Sequence, residues 1–249
     1  MLQRLLLTGL LSGAVAGVVL TLVHLTMVQP LIAEAEVFEQ RASAATPAPK
    51  VDPQHSHAAH EHSAAIAQET WSPVDGLERS LFTLAANLLT AIAFGLVLAA
   101  GFTLYGSGIS IAQGLLWGGA GFLSFSFLPG LGLPAELPAS AAGDLLTRQA
   151  WWLGTAVASC AGLACIAFGK SIIWRVGGVL LLVIPHAIGA PHPEAGAVGP
   201  SPPELAAHFV MVSLFASAVM WGSLGAAAAY VYRRISESQE TGLTEPHRT

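Results

Sequence analysis

Six mostly apolar stretches, each close to bilayer length, dominate this chain: 5–28, 81–104, 109–131, 151–168, 172–189 and 206–232. In hydrocarbon every backbone N–H and C=O must pair within its own segment, so a run of roughly 20 such residues folds as a spanning helix. The pattern predicts an all-α integral membrane protein, a polytopic bundle of about six helices forming one membrane domain over 1–249. The fourth and fifth stretches are short and joined only by Gly169-Lys170-Ser171, so five spans is the other count. Asp, Glu, Lys and Arg make up 10% of the 249 residues. Soluble domains carry about 25%. The first stretch exceeds the 7–15 residues of a signal-peptide core and contains His24, which favours a retained helix.

Charge sorts the loops. With the N-terminus inside and six crossings, the inner face holds Arg4, Lys170, Arg175, Arg233, Arg234 and Arg248, as the positive-inside rule prefers. Twelve of the fifteen acidic residues then fall outside, giving a negative outer face that concentrates cations. Trp71, Trp151 and Trp152 fall at outer boundaries, and Tyr105, Trp174, Tyr230 and Tyr232 at inner ones, where amphipathic rings settle. Both termini are expected in the cytoplasm.

Small residues recur every four positions at Gly9, Gly13 and Gly17, at Gly114 and Gly118, and at Ala218, Gly222 and Ala226. That spacing lines one helix face and lets backbones approach. Cys160 and Cys165 lie five apart in an apolar run, a packing pattern and not a redox pair. Glu34, Glu36 and Glu39 continue the first helix beyond the bilayer. Asp75 is placed to cap the second. Residues 42–68 form a mobile loop rich in Ala, Pro, Ser and His, and 235–249 a disordered tail.

That loop carries His55, His57, His60 and His62 around Glu61. Imidazoles suit Co, Ni, Cu and Zn ions, and this spacing offers several equivalent ligand sets for loose, rapid capture. Ligation needs neutral rings, so capture weakens below about pH 6.5. A low-complexity spacer with no ligand is the competing reading. His24, His186, His192 and His208 sit at the outer ends of helices, and Glu34 follows the first stretch. Such groups at membrane depth mark function by default, although a neutral histidine bonded to a carbonyl is about as frequent. Asn87, Gln113, Thr83, Thr90, Ser124 and Ser126 are the polar groups available to bridge helices or line a path.

Enzymatic chemistry is not expected. Ala164–Ser171 imitates a phosphate-binding loop without its first glycine, but follows a membrane stretch and not a strand. There is no nucleophile–base constellation, and neither face has a domain large enough for a conventional site.

Several motifs recur together in order: Gln29–Glu36, Trp71–Arg79, Ala86-Asn87, Gly114–Gly118, Leu131–Pro138, Arg148–Trp152 and Pro185–His192. With these the chain resembles the CbtA family, proposed cobalt transporter subunits of bacteria. The resemblance implies about five spans, cobalt uptake linked to cobalamin synthesis, and a small single-span partner, CbtB, with a histidine-rich end. It directs attention to His186, His192, Glu34 and Glu36, and to an outer set of Glu136, Asp144, Arg148, Trp151 and Trp152.

The expectation is a subunit in the bacterial plasma membrane that gathers divalent cobalt at His55–His62. His186, His192, His24, His208 and Glu34 then pass it into the bundle. A membrane buffer or sensor for cobalt, nickel, copper or zinc is the other reading. No resident cofactor is expected. The expected partners are the ion, the lipid and the small subunit, with no nucleic acid.

Overall fold

The computed structural model describes residues 1–45, 73–106, 108–193, 197 and 199–244. Among them all regular structure is helical. The helices are α1 (Leu2–Val23), α2 (Gln29–Ala45), α3 (Leu77–Tyr105), α4 (Ile111–Phe122), α5 (Leu128–Gly132), α6 (Leu145–Phe168), α7 (Ile172–Ile188) and α8 (Pro203–Thr244). A single π-turn, π1 (His24–Val28), fuses α1 to α2, and another, π2 (Leu123–Phe127), fuses α4 to α5. Five continuous helices are long and apolar enough to cross a membrane: Leu2–Ala44, Leu77–Tyr105, Ile111–Gly132, Leu145–Phe168 and Pro203–Ser238. The sixth stretch, α7, has 17 residues and a length of about 25 Å. It runs antiparallel to α6 along its length, since Gly162 meets Gly178 and Trp151 bonds Pro185. The chain therefore passes the bundle six times, five on long helices and once on a short one.

Glycine decides the tightest contacts. A Cβ on Gly13 would lie 2.4 Å from Ile92 Cα, and one on Gly9 or Gly17 within 3 Å of Leu96 or Leu88. The triple in the first helix is therefore an internal seam with α3. Gly114 and Gly118 make the second seam, against Gly225 and the Trp221 carbonyl. The Ala218, Gly222 and Ala226 stripe makes no such seam. Ala218 is exposed, and a Cβ on Gly222 would meet nothing within 4 Å. Gly225, three residues on, presents the close face.

These seams join α1, α3, α4 and α8 into a four-helix core. It is filled by Leu98, Phe102, Val212, Trp221, Leu224 and Tyr232. Trp221 stacks on Phe125 (centroids 5.8 Å, 14°) and tilts against Phe94 at 4.7 Å. Tyr232 is buried edge-on against Phe102, at the Arg4 end of the bundle. The α6–α7 hairpin lies outside this core, and α6 touches it through π2, α5 and the end of α4. Leucines, valines and isoleucines cover the outer surface of the first five passes, and Met211, Phe215 and Tyr230 that of α8, as lipid contact requires.

Three boundaries differ from expectation. The first helix continues through π1 past Glu39, as expected, but runs on to Ala45, taking in the first residues of the expected loop. The last continues past 232 to Thr244, over much of the expected tail. Glu, Gln and Leu in these overruns are good helix formers that need no packing partner. Asp75 does not cap α3. Gly76 takes that position at φ 102°, and Asp75 turns to Arg79 at 2.7 Å.

Candidate metal-handling site

π1 positions His24. The extra residue of a π-turn breaks the regular hydrogen-bond ladder and re-aims side chains. His24 Nδ1 lies 3.1 Å from Asn87 Nδ2, and that nitrogen is also 3.2 Å from Thr21 Oγ1. Thr21 spends its only hydrogen on the Gly17 carbonyl at 2.7 Å. Its oxygen must then accept from Asn87, which fixes the amide nitrogen toward Thr21 and His24. The second amide hydrogen goes to His24 Nδ1, so the neutral ring carries its proton on Nε2. A metal-bound histidine usually shows the reverse, with its second nitrogen donating.

His186 is held more firmly. Nδ1 lies 3.0 Å from the Leu182 carbonyl and Nε2 3.0 Å from the Leu128 carbonyl of α5. Trp151 lies edge-on to the ring at 5.9 Å, and its indole N–H donates to the Pro185 carbonyl at 3.3 Å. A neutral imidazole carries one N–H and both carbonyls only accept, so one of the two contacts is a hydrogen bond; donation from Nε2 to Leu128, with the Trp151 edge contact, pins α7 to α5 and α6.

The remaining expected ligands stand apart. His192, His208 and Glu34 are exposed, and no three His, Cys, Asp or Glu groups come together as a metal cage among the described residues. His55, His57, His60 and His62 lie outside the described residues, between Ala45 and Pro73. Both flanks of that segment are at the His186 end of the bundle, where His192 and His208 also emerge.

The acidic residues at this end make two clasps. Glu36 of α2 takes both Arg79 Nη atoms, one at 3.3 Å, while Asp75 holds Nη1. Glu136 receives Arg148 Nη2 at 2.5 Å, which ties the loop after α5 to α6. Asp144 caps α6 through the Thr147 N–H at 2.9 Å and hydroxyl at 2.6 Å. Those two bonds hold its carboxyl below the usual carboxylate range.

Sequence reasoning missed a cleft of about 230 Å³ between the core and the hairpin at this end. Ser126, Ser213 and Ser217 line it beside Phe125, Trp152 and Pro134. Ser213 and Ser217 lie four apart in α8. That spacing was visible in the sequence but unremarkable without π2 opposite.

A family model described as a probable cobalt transporter subunit (CbtA) matches residues 2–233. Neither a curated protein nor a solved structure matches the chain.

Proposed function

The chain belongs to the CbtA family, and on that premise we propose that it is the membrane subunit through which a bacterium takes up divalent cobalt for cobalamin synthesis. The carrying observation is the extent of the match: residues 2–233 take in all six passes and the outer connections. The bundle sits in the plasma membrane with Arg4 and Ser236 at the cytoplasmic end, since the basic pair Arg233-Arg234 and the Lys170 turn lie on that side. The His186 end then faces outward. There His55, His57, His60 and His62 capture the ion, with exposed His192, His208 and Glu34 as further landing points.

The geometry of His24 and His186 redirects part of the expected relay. Their ring nitrogens serve hydrogen bonds between helices, so both act as pins that shape the path and not as ligands along it. A small single-span CbtB-type subunit completes the assembly. No catalytic step is involved.

Reconstitution tests the reading. Purified chain, with and without the small subunit, is placed in liposomes and labelled cobalt is followed. Flux dependent on the chain is expected, with competition by nickel, copper and zinc ranking its selectivity. Tight binding without flux in either preparation makes the chain a buffer or sensor.

A further inference from the structure

Within the described residues of the six passes no group of three His, Cys, Asp or Glu side chains comes together to replace the water of a divalent ion. An ion stripped of its shell would meet uncompensated hydrocarbon. The cleft beside π2 offers another arrangement. Most hydroxyls in this bundle bond their own helix, although Thr8 and Ser159 are buried without a partner. Ser12, Thr21, Thr26, Thr83, Thr103 and Thr155 each return their hydrogen to the carbonyl four residues back. The hydroxyls of Ser126, Ser213 and Ser217 have no such partner among the described residues, and all three line the cleft. Pro129 follows π2 and carries no N–H, which leaves the π-turn carbonyls short of main-chain donors. Irregular backbone at membrane depth is tolerated where it lines a wet cavity.

The cleft is thus rich in oxygen acceptors and has no formal charge. Water bound to a metal presents only hydrogens, because its lone pair faces the ion. The cleft, about 230 Å³, has room for several waters at once, each of which needs about 10–15 Å³ of such space. Trp152 and the Phe125 ring, stacked on Trp221, form its aromatic walls. Exposed Pro134 lies at its mouth, at the His186 end. We propose that this cleft binds the divalent cation with its water shell intact, through Ser126, Ser213 and Ser217 accepting hydrogen bonds from coordinated water. The inference rests on the uptake reading and names the form in which the ion enters.

The probe is hexaamminecobalt(III), whose ammine ligands do not exchange and whose size and outward N–H groups imitate a hydrated ion. In liposomes it should inhibit cobalt uptake by the unaltered chain. The triple variant S126A/S213A/S217A should lose at least tenfold of that sensitivity at unchanged thermal stability. In a C160A/C165A background, Ser213→Cys should react with a membrane-impermeant thiol reagent, and hexaamminecobalt(III) should protect it. A cysteine that stays unreactive while the chain moves cobalt means an acyl chain fills the cleft. Uptake indifferent to the probe and to the triple variant also overturns the site, and in both cases the uptake reading stands. Protection of the cysteine without any cobalt flux removes the uptake reading and keeps the binding site.

Discussion

The guanidinium of Arg4, in the first turn of the chain, lies 4.3 Å from the centre of the Tyr232 ring, and its Nη1 donates to Ser236 at 3.0 Å. Both ends of the described chain are therefore at one end of the bundle, which requires an even number of passes. Hydropathy alone finds five long helices. The contact makes α7 the sixth pass.

Reporter fusions check that topology. Tags at the N-terminus and after residue 238 should report the same compartment, as should a cysteine at Lys170. Cysteines at Ala142 and Ala197 should report the opposite one. Opposite results for the two tags would rule out six passes.

The two glycine seams predict a contrast within α8. Gly225→Ala puts a methyl 2.3 Å from the Gly114 carbonyl oxygen, where backbone must move. A cost of about 1–3 kcal/mol is expected from overpacking. Gly222→Ala meets open space and should be neutral or slightly stabilising. Thermal unfolding in detergent of the two single variants reads the difference.

Arg79 has two carboxylate partners of unequal worth. Glu36 grips both Nη atoms in a half-buried setting between α2 and α3, whereas the Asp75 side chain is 84% exposed. Glu36→Gln should cost about 1–2 kcal/mol and speed proteolysis of α2. Asp75→Asn should cost less than about 0.5 kcal/mol. Equal effects would mean the pairing between helices contributes nothing.

His186 and His192 belong to one motif but should respond differently. His186→Ala removes both carbonyl contacts and the Trp151 edge, and about 1–3 kcal/mol of stability should go with them. His192→Ala, at an exposed site, should change stability by less than about 0.5 kcal/mol. Calorimetry of both variants, with cobalt binding measured alongside, separates a pin from a ligand. A ligand at 186 would lose cobalt affinity with the fold intact.

Asp144 gives the α6 cap an acid limit. Its carboxyl titrates lower when folded than when unfolded, so the cap's contribution is fully present above the ordinary carboxylate range. It is lost as pH falls through the depressed folded value. Asp144→Asn keeps a capping oxygen and removes the titration, so its stability should fall less steeply below about pH 4. Hydrogen exchange at the start of α6 measures this. Parallel slopes for both proteins would exclude the linkage.

Much of the architecture was legible in the sequence. Six apolar stretches became six passes, and Gly9, Gly13 and Gly17 became the α1–α3 seam. Composition carries those signals, because lipid tolerates few residue types and close backbones need glycine. The π-turns at His24 and Leu123 were not legible. They add one residue to a ladder without changing its hydropathy. Nor could spacing choose between Gly222 and Gly225, since that depends on which helix lies opposite. The site suffered most from this blindness. The sequence places His24 and His186 near helix ends, but not beside Asn87 and the Leu128 carbonyl, which lie far away along the chain.

The division between the glycine-sealed core and the outlying α6–α7 hairpin has a mechanical consequence. Where backbones touch, as at Gly13 and Gly225, a shift of a few tenths of an ångström already produces collision, so those seams are stiff. Around the cleft, α6 faces π2 and α8 through side chains such as Trp152 and Phe125, which can rotate. Compliance in this protein is therefore concentrated on the line along which the serines lie.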